Sequence, residues 1–319
     1  MDETNRLTVA DVAAARDRIA GHVWQTPTER SNWLSDLVGT AVHLKFECWQ
    51  RTGSFKVRGA FNAIAVLERT RRASGIVTAS AGNHGQAVAL AASRAGIPCR
   101  VFVPADAPEA KKSRIRDFGA GLDDGYVSYD EAEDAAIEHA SSRGLFFLHA
   151  FNDPAVVAGQ GTVGLEITEQ VPGVRTIVVP VGGGGLLSGI GLSVEGRGIR
   201  IRGVQSERTR NMHDALAAGR VVDVPVVPTL ADGLAGRTDW ISVERVARWA
   251  NGVSLVAETT IADAIRGLFT HHGAVAEGAG AVGVAALLGG SMEVDGPVVV
   301  VVSGRNIDPD RLARILKNE

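Results

Sequence analysis

Apolar residues along the chain fall into short clusters separated by longer segments of helical period. The run from Val42 to Phe46 alternates apolar and polar side chains, the two-residue period of a strand. Further strands are expected near residues 75–79, 99–103, 126–127, 145–148, 176–181, 199–204, 253–257 and 297–302, the last built on the apolar run Val298 to Val302. Helical spacing marks 84–95, 108–118, 130–142, 154–170 and 309–317 between or after them. A first helix over 8–19 is capped by Thr8, with Val9, Val12 and Ile19 turned to a core and Asp11 in its first turn, and a short second helix precedes residue 42. Such strand-helix alternation predicts an α/β protein with mainly parallel sheets covered by helices on both faces. Each half reads as an open α/β unit.

Composition narrows the partners. A chain of 319 residues with 45% hydrophobic content, 5% aromatics and 38 glycines suits a globular protein with two cores and many tight turns. Its formal net charge of −3 points to neither nucleic acid nor an anionic membrane, so a small molecule is the default partner. Cys48 and Cys99 form neither a close pair nor a metal-type spacing, which favours a reduced, intracellular setting. Met1-Asp2-Glu3-Thr4-Asn5 lacks the character of a signal peptide, and no apolar run approaches the ~20 residues of a membrane span. The sequence therefore reads as soluble and cytoplasmic.

Four stretches carry candidate chemistry. In Ser54-Phe55-Lys56-Val57-Arg58-Gly59-Ala60, Ser54 is positioned as an N-cap and Lys56 falls in the first turn of an apolar helix. A cation there opposes the helix macrodipole by ~0.3–1 kcal/mol unless it is neutralised, so Lys56 is either an ordinary exposed first-turn lysine or one linked to an aldehyde cofactor with an anion nearby. Ser80-Ala81-Gly82-Asn83-His84-Gly85 follows a strand and opens a helix, the place where open α/β sheets bind ligands, although a structural turn with an Asn cap fits the same residues. Gly182-Gly183-Gly184-Gly185 joins a strand to the helix beginning at Leu186. Each glycine forfeits roughly 0.5–1 kcal/mol relative to alanine, so the loop reads as an anion nest of successive N–H groups at a helix start in preference to a mere tight strand-to-helix turn. No Lys-Ser/Thr follows, so the loop is not a P-loop, and Leu187 and Ser188 break the dinucleotide fingerprint. Gly278-Ala279-Gly280-Ala281-Val282-Gly283 has that formal spacing, but without a strand before it, and reads as a helix-start packing motif. Ser303-Gly304-Arg305-Asn306 ends the last strand; Ser303 can hold a ring nitrogen or cap a helix, and Glu277 is either a cleft acid or an ordinary helix-start carboxylate.

Together these motifs, with Glu277-Gly278-Ala279-Gly280, resemble the threonine/serine dehydratase and serine racemase family of fold-type II enzymes, which use pyridoxal 5′-phosphate. The resemblance runs in order from about residue 7 to the end and implies a tryptophan synthase beta-like fold. It implies a large cofactor-binding domain of residues 1–74 and 150–319, with a small substrate-side domain over 75–149. By resemblance, Lys56 is the catalytic Schiff-base lysine, Phe55 lies beside the cofactor ring, and Asn83 bonds the ring hydroxyl. Gly182, Gly183, Gly184 and Gly185 with Leu186 cradle the phosphate, Glu277 lies at the cofactor, and Ser303 faces the pyridine nitrogen. The substrate carboxylate docks on Ser80, Ala81, Gly82, Asn83 and His84. The activity implied is dehydration of L-threonine or L-serine to a 2-oxo acid and ammonia, by a homodimer. Serine racemase, 3-hydroxyaspartate dehydratase and a pyridoxal-phosphate-binding protein without turnover are the alternatives.

The chain departs from the family at several positions. Ala81 stands where racemases carry a second serine as base on the opposite face, which favours dehydration. Gln205 and Asn211 stand where some members bind a divalent cation through Glu and Asp; these amides lack the charge a hard cation prefers, so no metal is assigned, with Glu207 a possible substitute ligand. Arg305 replaces a glycine, either as a packing change or as a cation favouring a substrate with a second carboxylate. The sequence stops at Glu319, soon after the last helix, so control through a C-terminal regulatory domain is not expected.

Overall fold

The computed structural model describes residues 7–67, 72, 74–225, 227–236 and 238–318. The Met1 to Asn5 start, the parts of the large-domain ranges at 1–6, 68–71, 226, 237 and 319, and residue 73 lie outside them. The strands are β1 Thr28–Arg30, β2 Val42–Lys45, β3 Ile76–Ala79, β4 Cys99–Pro104, β5 Gly121–Tyr126, β6 Phe146–Phe147, β7 Thr176–Pro180, β8 Arg200–Ser206, β9 Ala250–Val256 and β10 Val298–Val301. They form two sheets, ordered β1-β2-β10-β7-β8-β9 and β5-β4-β3-β6. Every pairing is parallel except β1 with β2. All four strands of the smaller sheet come from one continuous stretch of chain, 76–147.

The helices are α1 Val9–Ile19, α2 Asn32–Val38, α3 Lys56–Val66, α4 Asn83–Ala95, α5 Glu109–Asp117, α6 Tyr129–Arg143 and α7 Pro154–Gln170. They continue with α8 Gly185–Ser193, α9 Asn211–Ala218, α10 Trp240–Trp249, α11 Glu258–His272, α12 Gly278–Leu288 and α13 Pro309–Lys317. Strand β10 shows why the large sheet is sandwiched. Val298, Val300 and, just beyond it, Val302 join the core under α2, α11 and α12, while Val299 and Val301 join the core under α7, α8 and α10. A continuous valine run is what a strand buried on both faces requires. Helix α3 spans the join between the two sheets: Val57, Ala60, Phe61 and Ile64 pack with Ala87, Val88 and Ala91 of α4 and Val156 of α7. No helix among the described residues is long and apolar enough to cross a membrane.

Most elements fall where the periodicity places them, and α13 does so to the residue. The strand expected at 126–127 instead ends at Tyr126 and begins at Gly121, with Val127 86% exposed beyond it. The run Gly121-Leu122-Asp123-Asp124-Gly125 is too polar to read as a strand, and it is held by parallel backbone pairing to β4. Ser54 is not the cap of α3. Phe55 occupies that position in helical conformation, and Ser54 pairs instead with Gly304. The Gly278 motif is a packing device: Cβ atoms at Gly278, Gly280 and Gly283 would lie 2.0 Å from Leu230 O, 2.5 Å from Gly304 O and 2.7 Å from Val300 Cγ1.

Candidate active site

Two distant segments are zipped together to place Lys56. Phe55 N donates to Ser303 O at 3.2 Å and Arg305 N to Gly53 O at 2.9 Å, so the turn before α3 is held against the exit of β10. Gly53 has φ +76, and a Cβ there would stand 2.7 Å from Asn306 Oδ1, which requires glycine. Lys56 is the first residue of α3 and keeps partial exposure to the cleft. Its Nζ donates to Ala150 O at 3.0 Å and sits 5.4 Å from the centre of the Phe55 ring. No carboxylate among the described residues pairs with it. Protein atoms packed around the ammonium lower its pKa to about 8 by desolvation.

The glycine loop leaves β7 and enters α8. Gly184 has φ +85, and a Cβ on it would lie 2.5 Å from Val246 Cγ2; one on Gly183 would lie 2.4 Å from the Phe151 ring. Gly182 and Gly185 are similarly crowded, by Leu234 Cα at 3.2 Å and Phe151 Cβ at 3.0 Å. Within the described residues, the N–H groups of Gly183, Gly184, Gly185 and Leu186 find no protein acceptor, as expected for a helix start left open for an anion. Phe151, adjacent to the carbonyl that holds Lys56, therefore also shapes this loop. Sequence reasoning missed the 149–152 segment because its role depends only on tertiary placement. Asn152 accepts from Ser242 Oγ at 2.5 Å and, through its carbonyl, from Arg245 at 2.8 Å, fixing that segment to α10.

On the other side, Gly82 precedes α4, and a Cβ on Gly85 would lie 2.1 Å from Ser80 O. The loop 80–84 thus turns tightly over the helix start, with the first amides of α4 lacking helical acceptors. His84 is buried; its Nε2 faces Leu148 O at 3.2 Å and so carries the hydrogen, leaving Nδ1 as an acceptor without a protein partner. Burial first, then Lys56, push its pKa down to about 3, so it is neutral at ordinary pH. Ala81 packs its methyl toward the cluster of Ala89, Val101, Val103 and Ile115.

Asn83 is a hub: its Nδ2 donates to Glu277 Oε1 at 2.6 Å and its Oδ1 accepts from Asn306 Nδ2 at 2.5 Å. Asn306 also donates to Thr52 O at 2.8 Å and accepts from Arg114 at 2.7 Å. Glu277 stands just before α12 and is buried, 5% exposed, with burial and then Asp232 raising its pKa to about 7. Gly304 makes room for it, since a Cβ there would lie 2.0 Å from Glu277 Oε1. Ser303 is buried at the same strand exit. Thr52 Oγ1, Ser54 Oγ and His84 Nδ1 are buried without partners around this region. Arg305 is exposed, its Cγ 3.2 Å from where a Gly53 Cβ would sit.

Beneath α3 lies a charged cluster that the sequence did not reveal. Arg58 bonds Glu47 through Nε and Nη2, each at 2.8 Å, and Glu166 through Nη1 and Nη2 at 2.6 and 2.9 Å. Lys45 Nζ joins Glu166 at 2.6 Å. Two cations and two carboxylates thus neutralise one another two residues from Lys56.

These parts fit a phosphorylated aldehyde: an amine without an anionic partner, an N–H nest, and buried polar groups between them. A sequence profile of pyridoxal-phosphate dependent enzymes matches residues 19–304. The chain is 43% identical over 314 residues to an L-threonine ammonia-lyase of Thermotoga maritima, covering 97% of this chain and 78% of that protein. It is 40% identical over 310 residues to an L-threonine ammonia-lyase of Geobacter sulfurreducens, covering 96% and 77%. The solved structure of maize serine racemase superposes with a TM-score of 0.92 at 32% identity, covering 98% of this chain and 97% of that one.

Proposed function

This chain belongs to the pyridoxal-phosphate dependent enzyme family, and on that premise we propose that it is a hydroxyamino acid ammonia-lyase acting on L-threonine or L-serine. The observation that carries the reading is Lys56, an amine lowered to about 8 and without a carboxylate partner, in one cleft with the open amides of the glycine loop.

Lys56 would hold the cofactor's aldehyde carbon, Gly182 to Leu186 its phosphate, Phe55 one side of its ring, and Asn83, Glu277 and Ser303 its polar edge. Pyridoxal phosphate, when bound, supplies a conjugated ring that accepts the electron pair released at Cα. Lys56 Nζ would be the base for the substrate's Cα proton, a role its lowered pKa suits. The amides at the start of α4 and the Ser80 hydroxyl would orient the substrate carboxylate. Loss of the Cα proton and β-hydroxyl, followed by hydrolysis, gives the 2-oxo acid and ammonia. Ser303, a neutral hydroxyl, would leave the ring nitrogen uncharged, which suits prompt elimination over a long-lived carbanion.

The similarity to serine racemase supports racemisation as a second reading, but Ala81 offers no titratable group to the face away from Lys56. Residues 75–149 would be the substrate-side domain, supported by the self-contained small sheet, with 1–74 and 150–319 holding the cofactor. A cytoplasmic homodimer is part of the same proposal, resting on the unpaired Cys48 and Cys99 for compartment and on family resemblance for assembly.

The test is to incubate pyridoxal-phosphate-loaded protein with L-threonine, L-serine, D-serine and 3-hydroxyaspartate, following oxo acid release and the chirality of remaining substrate, with Lys56→Ala alongside. Oxo acid from L-threonine or L-serine that disappears in the variant supports the proposal. Racemic residual substrate with little oxo acid refutes it.

A further inference from the structure

The turn after β8 contains a buried amide clasp. Gln205 is fully buried and Asn211 is 6% exposed. Gln205 Oε1 accepts from His213 N at 2.9 Å, and this fixes which end of the amide carries hydrogen. Its Nε2 therefore donates, reaching Thr209 O at 2.5 Å and Asn211 Oδ1 at 2.8 Å. Asn211 Nδ2 in turn donates to Gly236 O at 2.5 Å. Two side chains thus satisfy one peptide N–H and two carbonyls and draw three backbone segments together.

The family resemblance implies a divalent cation at these two positions in some members. The donor set here does not fit one. A hard cation requires converging oxygens, most effectively carboxylates, whereas the oxygens of Thr209 and Asn211 converge on the N–H donors of Gln205. Glu207 is exposed, outside the buried clasp.

We propose that Gln205 takes the place of a divalent cation and acts as a positioning residue for the glycine loop. The clasp fixes the start of α9, whose Met212 is buried against α8 and α10. Met212 Cε lies 3.4 Å from the point where a Gly184 Cβ would stand, on the loop whose amides await the phosphate. The inference rests on the reading of that loop as the phosphate site.

The experiment measures pyridoxal phosphate affinity by fluorescence titration and Tm by calorimetry, for wild type, Gln205→Ala and the double variant Gln205→Glu/Asn211→Asp. Each is examined in EDTA and in millimolar Mg²⁺ or Ca²⁺. The wild type is expected to be indifferent to all three additions. The double variant should bind the cofactor about tenfold more weakly in EDTA and recover with either cation, while Gln205→Ala weakens and does not recover. If the double variant fails to fold, Gln205→Glu alone should show the same cation response. Loss of wild-type affinity or Tm in EDTA, reversed by cation, overturns replacement of the metal. Unchanged cofactor affinity in both Gln205 variants overturns positioning. A wild type that binds no pyridoxal phosphate would sink the functional reading instead, and its Tm response would still decide whether a cation is replaced.

Discussion

Asn83 and Glu277, 194 residues apart in sequence, meet at 2.6 Å and tie the smaller sheet to the larger at the cleft. Burial holds Glu277 protonated up to about pH 7, well above the 4.5 of a free glutamate. Between those values the native protein keeps a proton that the unfolded chain releases, so stability must fall as pH rises across the window. Urea midpoints of the cofactor-free protein should decline from pH 4.5 to 7, by at most about 3 kcal/mol in free energy. Glu277→Gln should flatten that slope; equal slopes in both proteins would remove Glu277 as its source.

Lys56 gives the opposite sign. Its pKa falls from 10.5 to about 8 on folding, so between these values the unfolded chain binds more protons and stability rises with pH. Lys56→Met removes the cost of burying the charge. The cofactor-free variant should be more stable than wild type at pH 7, by up to about 3 kcal/mol, with the difference closing towards pH 10.5. The same variant should release no oxo acid.

The fold was legible because β2, β7 and β10 are short, apolar and bracketed by turns, and the glycine loop was legible as a strand-to-helix connection because four successive glycines are costly anywhere else. What stayed hidden depends on long-range meeting. The sequence shows Asn83 as a loop polar residue, but not that Asn306 and Glu277 close on it. Polar segments such as β5 carry no periodic signal, since parallel pairing to β4 and scattered contacts of Leu122 and Tyr126 place them. The cap assigned to Ser54 failed because tertiary pairing with Gly304 overrode the local preference.

Arg58 illustrates the same limit with a measurable consequence. It is fully buried and reaches Glu166, 108 residues away, so nothing local distinguishes it from a solvent-facing arginine. Arg58→Met would leave Glu47 and part of Glu166 as uncompensated buried carboxylates, a change that costs about 3–5 kcal/mol. Arg58→Lys should also destabilise, because an ammonium cannot make both forked pairs. Chemical denaturation should show both losses, the methionine variant falling further.

Gly184→Ala tests the cradle separately from the base. A left-handed φ of +85 is strained for alanine, and the new methyl would stand 2.5 Å from Val246 Cγ2. The loop must shift, and its amides with it. Pyridoxal phosphate should bind at least about tenfold more weakly, since even ~1.4 kcal/mol of lost complementarity has that effect. Unchanged affinity by absorbance titration would mean that the loop does not hold the phosphate.

Under the proposed function, Ala81 is the position that would set elimination against inversion. Racemisation needs a proton delivered to Cα from the face opposite Lys56, and the methyl of Ala81 packs toward Ala89, Val101 and Ile115 without offering one. Ala81→Ser would place a hydroxyl beside the Ser80 turn, as a candidate acid for that face, while leaving Lys56 and the glycine loop untouched. A positioned general acid contributes about 10²–10⁴-fold, so conversion of L-serine to D-serine should rise by about a hundredfold or more relative to oxo acid release. Chiral chromatography of the residual serine reads the ratio directly. A wild type that already racemises as fast as Ala81→Ser would show that the proton reaches that face by another route, and that Ala81 does not set the outcome.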